Sequence, residues 1–264
     1  MKIAVFTSNH PRHLGLIETL AGLADQVFAV QESKTMFPGQ EAGMYARSDI
    51  TGDYFSHVTA AEGAIFGAPR FLPANVRQMA FSRNDINHFD VSIFAEALEA
   101  DAIVVFGASY INGALCDALV ARKAINIHMG VSPYYRGNSC NFWPLYDGKP
   151  EFVGATIHYL SAGLDSGPML FHALPQAEAI DPFALGMKAV RAAHRGLADR
   201  IASGEVFEMT SVPQDAEQEL RYTRAADFTE QVSSEFLARR PSPEAIGEDL
   251  ASRQLDQFVR PYIG

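Results

Sequence analysis

Two strand–helix–strand runs limit the chain to one architecture. KIAVFTS, residues 2–8, reads as a buried strand. Leu14, Ile17, Leu20 and Leu23 then recur at helical spacing, with Pro11 at the helix start, where its missing N–H is harmless. QVFAVQE, residues 26–32, is a second strand. DAIVVFGAS (101–109), NGALCDALVARK (112–123) and AINIHMG (124–130) repeat the order. Such units predict a mostly parallel twisted sheet flanked by helices, an α/β Rossmann-like fold.

The rest of the chain is read around that frame. Residues 33–90 contain a loop, QESKTMFPGQ, and two segments, GDYFSHVTAAEGAIFG and ANVRQMAFSRNDINHF, that read as helical or mixed. Residues 90–100 predict a helix capped by Asp90. GATIHYLS (154–161) and PMLFHALP (168–175) predict paired strands, and 181–204 predicts a long amphipathic helix with an Asp-Pro start and a Gly stop. A helix is expected within 222–241, and the last 25 residues read as helical and amphipathic. We expect a catalytic domain over 1–205 and a short, mostly helical extension over 206–264.

Bulk composition narrows the function classes. A length of 264 residues with 48% hydrophobic and 20% charged residues suits a soluble globular chain. The first apolar run is too short for a signal-peptide core or a membrane span. Cys116 and Cys140 lack metal-site spacing, and a disulfide framework is not expected. The default compartment is therefore the reducing cytoplasm. A net charge of −10 disfavours nucleic acid, whose phosphates call for a basic face. Small molecules are the expected partners, and the amphipathic tail could serve a homodimer contact.

Asn126 and His128, two apart at a strand end, point to one side of the strand. In open α/β sheets the ligand crevice lies outside the carboxyl ends of the strands. Taken alone, Asn126 could cap a turn and His128 could be a satisfied core histidine. Asp165 follows 37 residues after His128, between Gly163 and Gly167. That spacing fits a tight loop holding a carboxylate where backbones approach closely, and an ordinary turn residue fits it too. His158 alternates with Thr156 and reads as structural or as pocket wall.

Together, NIHMGVSPYYRG…FW, GATIHYL and GLDSGPML resemble the core of the folate-dependent formyltransferases, a family that includes methionyl-tRNA, glycinamide ribonucleotide and sugar N-formyltransferases. The resemblance is firm over about residues 100–200 and looser over the N-terminal unit. It implies formyl transfer from 10-formyltetrahydrofolate, as cosubstrate, to a primary amine, with no metal. It implies Asn126, His128 and Asp165 as the catalytic trio. The pterin slot would be formed by Ala108, Ser109, Tyr110, Ile111, Leu160, Gly163 and Leu164. The acceptor would be held by Ser8, Asn9 and Arg12, at a helix start suited to phosphate, and by Tyr135 and Arg136 of the Y-R-G loop. Ser8, Asn9 and Arg12 also read as ordinary capping and a solvated charge, and Arg136 as a loop anchor.

The chemistry agrees with the trio. Attack on a formyl carbon develops an oxyanion, which needs a donor, and a proton must move between nitrogens. An Asn amide donates without titrating, a His can donate or relay, and an Asp can hold the imidazolium. The glycinamide ribonucleotide enzymes carry a Gly-rich cradle at the first turn, which SNHPRH lacks. A helical tail and an acidic balance speak against tRNA. The favoured acceptor is the amino group of a nucleotide-linked amino sugar. Methionyl-tRNA or another amine, water in a formyltetrahydrofolate hydrolase, and a non-catalytic folate or sugar-nucleotide binding module are the alternatives. A GxGxxG dinucleotide motif after the first strand is lacking.

Overall fold

A computed structural model describes residues 1–37, 48–163 and 165–264. The first unit is β1 (Lys2–Ser8), α1 (Pro11–Ala21) and β2 (Gln26–Ser33). After α2 (Asp49–Phe66) and β3 (Val76–Ser82), the second unit follows a single α-turn, α3 (Ala95–Leu98). It comprises β4 (Ala102–Val105), α4 (Gly113–Ala121) and β5 (Ile125–His128). Next come β6 (Tyr135–Gly137), α5 (Phe142–Tyr146), β7 (Ala155–Tyr159), β8 (Met169–Leu174), α6 (Pro182–Ala202) and α7 (Glu205–Glu208). The tail carries β9 (Arg221–Thr223), α8 (Glu230–Arg239), α9 (Pro243–Ala251) and β10 (Tyr262–Ile263).

Among the described residues the main sheet has eight strands in the order β10-β8-β7-β5-β4-β1-β2-β3. Only β7 runs against its neighbours. The alternation of β1 divides the core. Ile3 and Val5 face Leu16, Leu20, Val190 and Leu197 of α1 and α6. Ala4 and Phe6 face Phe94, Leu115 and Leu119 on the α4 side. Phe6 and Leu197 are fully buried, each contributing about 1.5–3 kcal/mol. Asp181 caps α6, its carboxylate accepting from the Phe183 and Ala184 N–H groups at 2.9 and 3.4 Å. Among the described residues no helix is long and apolar enough to cross a membrane.

Three local expectations change. Residues 76–82 of the segment read as helical or mixed form β3, paired in parallel along all of its length with β2. Its outward positions include Arg77, Gln78 and Ala80, so the edge strand shows no alternating apolar face. The helix expected at 90–100 is a 3₁₀ turn, Val91–Phe94, followed by α3. Asp90 does cap it, accepting from Ser92 N–H at 2.9 Å. The tail holds two helices but also two strands too short to show a period: β9 pairs with β6, and β10 extends the main sheet beyond β8.

The tail also shares a core with residues from the middle of the chain. Phe228, Phe236, Ile246 and Phe258 cluster with Tyr135, Phe142, Trp143 and Phe183. The β6–β9 seam depends on Gly137, whose φ is +93°. A Cβ there would lie 1.9 Å from the Thr223 carbonyl oxygen. Gly137→Ala is expected to cost at least about 1 kcal/mol through backbone incompatibility. A urea midpoint unchanged from wild type would show that the seam contributes nothing to stability.

Candidate active site

β5 is polar on one side only. Ile125 and Ile127 turn into the α1–α6 core, and Asn126 and His128 turn the other way. Antiparallel pairing of β7 sets His158 directly opposite Asn126 and Thr156 opposite His128. The β7–β8 turn then returns Asp165 over both. Asp165 has φ +45°, a left-handed conformation that Asp tolerates better than most residues. Gly167 permits the return: a Cβ there would fall 1.7 Å from the Tyr159 carbonyl oxygen. Gln214, from the tail, donates its Nε2 to the carbonyls of Asp165 (2.8 Å) and Gly167 (2.9 Å) and pins the turn.

The three polar tips meet. His128 Nδ1 lies 3.2 Å from Asp165 Oδ2. Asn126 Nδ2 donates to Asp165 Oδ1 at 3.1 Å and to His158 Nε2 at 3.0 Å. His158 Nδ1 faces the Tyr159 carbonyl oxygen at 2.8 Å, which assigns its proton to Nδ1 and leaves Nε2 as the acceptor. Both amide hydrogens of Asn126 are thus engaged, and its free polar atom is the acceptor Oδ1. Both nitrogens of His158 are engaged as well. His128 Nε2 is buried and has no hydrogen-bond partner among the described residues.

Electrostatics separate the two histidines. Burial disfavours a charged His128, but the Asp165 carboxylate outweighs it and holds the ring well above its usual value. Burial likewise opposes the Asp165 charge, and His128 overcomes it, bringing that carboxyl down to about 2. For His158 burial wins, and its value falls to about 4. At neutral pH the site therefore holds an imidazolium–carboxylate pair beside a neutral imidazole.

A cleft of about 270 Å³ opens above these groups. Ala108, Ser109, Tyr110, Ile111, Leu160 and Gly163, named from the sequence for the pterin slot, all line it with Asn126, His128 and Asp165. Leu164 lies outside the described residues. Ser109 differs from expectation in its chemistry. Its N–H and hydroxyl both donate to Glu32, at 2.5 and 2.6 Å, so it anchors the wall and has no donor left for a ligand. Glu32 also accepts from Asn84 N–H at 2.6 Å. Lys34 donates to the Gly107 carbonyl at 2.6 Å, and a Cβ on Gly107 would strike His13 Nε2 at 2.4 Å. Tyr110 reaches across the cleft to the Ala162 carbonyl at 3.1 Å.

The residues expected to hold the acceptor are elsewhere or otherwise engaged. Ser8 is fully buried. Asn9 is clamped to the Lys34 backbone, donating to its O at 3.1 Å and accepting from its N–H at 2.8 Å. Arg12 pairs with Glu62 of α2 at 2.9 Å. Tyr135 is buried, its hydroxyl 3.2 Å from Asp147, and Arg136 pairs with Glu219 at 3.2 Å; neither lines the cleft. The next loop residues, Gly137, Asn138 and Ser139, do line it. Of the QESKTMFPGQ stretch, Pro38, Gly39 and Gln40 lie outside the described residues.

Glu32, Lys34 and Gln214 were missed by sequence reasoning. A buried Glu at the end of an apolar strand was the available signal for Glu32; Gln214 carried none.

A mostly parallel sheet flanked by helices thus brings an amide, an imidazole and a carboxylate together beyond its strand ends, an arrangement able to hydrogen-bond an oxygen that gains negative charge. The family model described as "Formyl transferase" matches residues 1–201, and the chain belongs to that family. A methionyl-tRNA formyltransferase from Synechococcus sp. (strain JA-3-3Ab) is 33% identical over 125 residues, 46% of this chain and 37% of that protein. The match thus spans little more than a third of that relative's length. A 4-N formyltransferase from Francisella tularensis superposes with a TM-score of 0.53 at 17% identity, covering 94% of this chain and 86% of the other. A sugar N-formyltransferase from Shewanella sp. FDAARGOS_354 gives 0.51 at 18%, covering 86% and 78%. At such identities the two structures speak for the fold.

Two variants test the site. Asp165→Asn removes the charge that favours the imidazolium, so the alkaline limb of the pH–rate profile should move to lower pH and the rate at neutral pH should fall. A limb that stays in place would separate Asp165 from His128 titration. Glu32→Ala leaves the N–H groups of Ser109 and Asn84 without their acceptor, and should raise KM for the donor about tenfold or more with a smaller change in kcat. An unchanged KM would show that the wall holds its shape without Glu32.

Proposed function

We propose that the protein transfers a formyl group from 10-formyltetrahydrofolate to a primary amine. The observation that carries this reading is the convergence of Asn126, His128 and Asp165 at one cleft. Family membership supports it, as does the cleft wall of apolar and backbone groups suited to a flat heterocycle.

The amine nitrogen attacks the formyl carbon, and a C–N bond forms as the carbonyl oxygen takes up negative charge. His128 spends Nδ1–H on Asp165 and keeps Nε2–H for that oxygen. One such donor contributes about 2.7–4 kcal/mol to the barrier. Asn126 holds Asp165 and offers Oδ1 to an N–H of the attacking amine. The bond from the formyl carbon to the folate nitrogen then breaks. One proton leaves the attacking nitrogen and one reaches the folate nitrogen, giving a formamide and tetrahydrofolate. The imidazolium–carboxylate pair and the neutral His158 stand within reach of that transfer.

From the sequence, the amino group of a nucleotide-linked amino sugar is the favoured acceptor. Arg12, its expected phosphate holder, is already paired with Glu62.

With donor and an amine, tetrahydrofolate should appear in step with a formamide, and His128→Ala should lower kcat about 10²–10³-fold while the circular dichroism spectrum is kept. Release of formate and tetrahydrofolate without any amine would assign the site to hydrolysis. Wild-type turnover in His128→Ala would remove that ring from the chemistry.

A further inference from the structure

We infer that the acceptor amine enters on an uncharged, apolar body seated in a second cavity that adjoins the folate cleft; this rests on the formyl-transfer reading above. The cavity holds about 320 Å³, within the range of small-molecule sites. It meets the cleft at Met129 and Ser139, which line both. The junction also reaches His128. An added Cβ at Gly130 would meet Cys140 Cβ at 2.3 Å, His128 Nε2 at 3.0 Å and Cys140 Sγ at 3.3 Å. Cys140, a wall of the second cavity, therefore lies beside the unpartnered His128 Nε2. A body in this cavity places its nitrogen beside the carbonyl carbon whose oxygen that N–H would hold.

The lining decides the chemistry of the body. Phe55, Phe142, Phe183, Phe236, Met187 and Val190 line it, with Ser139 and Asn141 as polar members of the wall. The one Lys or Arg lining it, among the described residues, is Arg12, and Glu62 neutralises it at 2.9 Å while accepting from its backbone N–H at 3.0 Å. A nucleoside diphosphate seated here would bring two or more negative charges to aromatic walls whose described residues offer no cation besides the Glu62-paired Arg12, at a high desolvation cost. An aliphatic or aromatic amine would exchange water for apolar contact.

The full chain is assayed with 10-formyltetrahydrofolate and four acceptors: L-leucinamide, L-phenylalaninamide, glycinamide and a dTDP-linked amino-deoxy sugar. The three amides present the same α-amino amide, so their differences report the body. The expected result is a kcat/KM for leucinamide or phenylalaninamide at least tenfold above that for glycinamide and above that for the sugar nucleotide. Met187→Asp, at a half-buried position of the wall, should erase that preference without changing tetrahydrofolate affinity. Preference for the sugar nucleotide, or equal rates for the three amides, overturns the inference and leaves formyl transfer standing. If no acceptor is formylated, the transfer reading fails, and the cavity is judged by binding. Trp143, the chain's one tryptophan, lies 5.0 Å from the Phe142 ring, so its fluorescence reports occupancy. Saturable quenching by phenylalaninamide at concentrations where glycinamide has no effect supports an apolar site, and no quenching rejects it.

Discussion

The contact between His128 and Asp165 is the constraint to which the surrounding structure answers. Both groups are substantially withdrawn from water, and charging either one alone would be costly. Together they satisfy each other, and the backbone is arranged to bring them together. Gly167 lets the β7–β8 turn pass against Tyr159, Gln214 ties that turn from the tail, and Asn126 occupies the second carboxylate oxygen. The pair's pH dependence follows from its direction. Asp165, lowered from 3.8 to about 2, contributes stability that is present above 3.8 and lost as pH falls towards 2. His128, raised above 6.5, contributes stability complete below 6.5 and lost as pH rises through its folded value. The pair therefore supports the fold most fully between about 4 and 6.5.

Division of labour on the sheet explains how such a pair sits at a cleft without weakening the core. The odd positions of β5 belong to the α1–α6 layer, and the even ones open beyond the cover of α4. Antiparallel β7 adds His158 to that same floor. Its Nδ1–H is fixed by its neighbour's carbonyl, so its Nε2 can only accept. This orients the Asn126 amide, which in turn orients Asp165. A reversed Asn126 would set its oxygen against Asp165 Oδ1 and against the lone pair of His158, so the network admits one arrangement.

Those parts of the site that follow a strand period were legible in the sequence; those that depend on distant ionic partners were not. Asn126 and His128 interrupt an apolar strand at a spacing of two, and Asp165 is flanked by glycines, so local pattern and resemblance pointed to the same trio. The cleft wall from Ala108 to Ile111 followed from its place after β4. Ser109, Arg12 and Arg136 were read for their own chemistry, but their atoms are engaged by Glu32, Glu62 and Glu219, which lie 77, 50 and 83 residues away in sequence. No local pattern shows such a pairing. β3 was obscured because an edge strand with exposed positions need not alternate, and β9 and β10 because two or three residues cannot display a period.

The two cavities also bear on why a formyl group should pass to an amine rather than to water. Water is abundant, small and able to reach any open carbonyl, so a transferase must shut it out of the attacking position. On the proposed reading the attacking position borders Met129, Ser139 and Cys140, with the aromatic cavity behind it. A polar acceptor pocket would hold ordered waters at polar groups close to His128 Nε2, each a rival nucleophile. Apolar walls hold water poorly and release it readily to an apolar body. When such a body is seated, the nitrogen it carries is the nucleophile best placed beside the formyl carbon. In that arrangement the binding energy of the acceptor excludes water and orients the attack at once, which links the composition of the second cavity to the choice of transfer over hydrolysis.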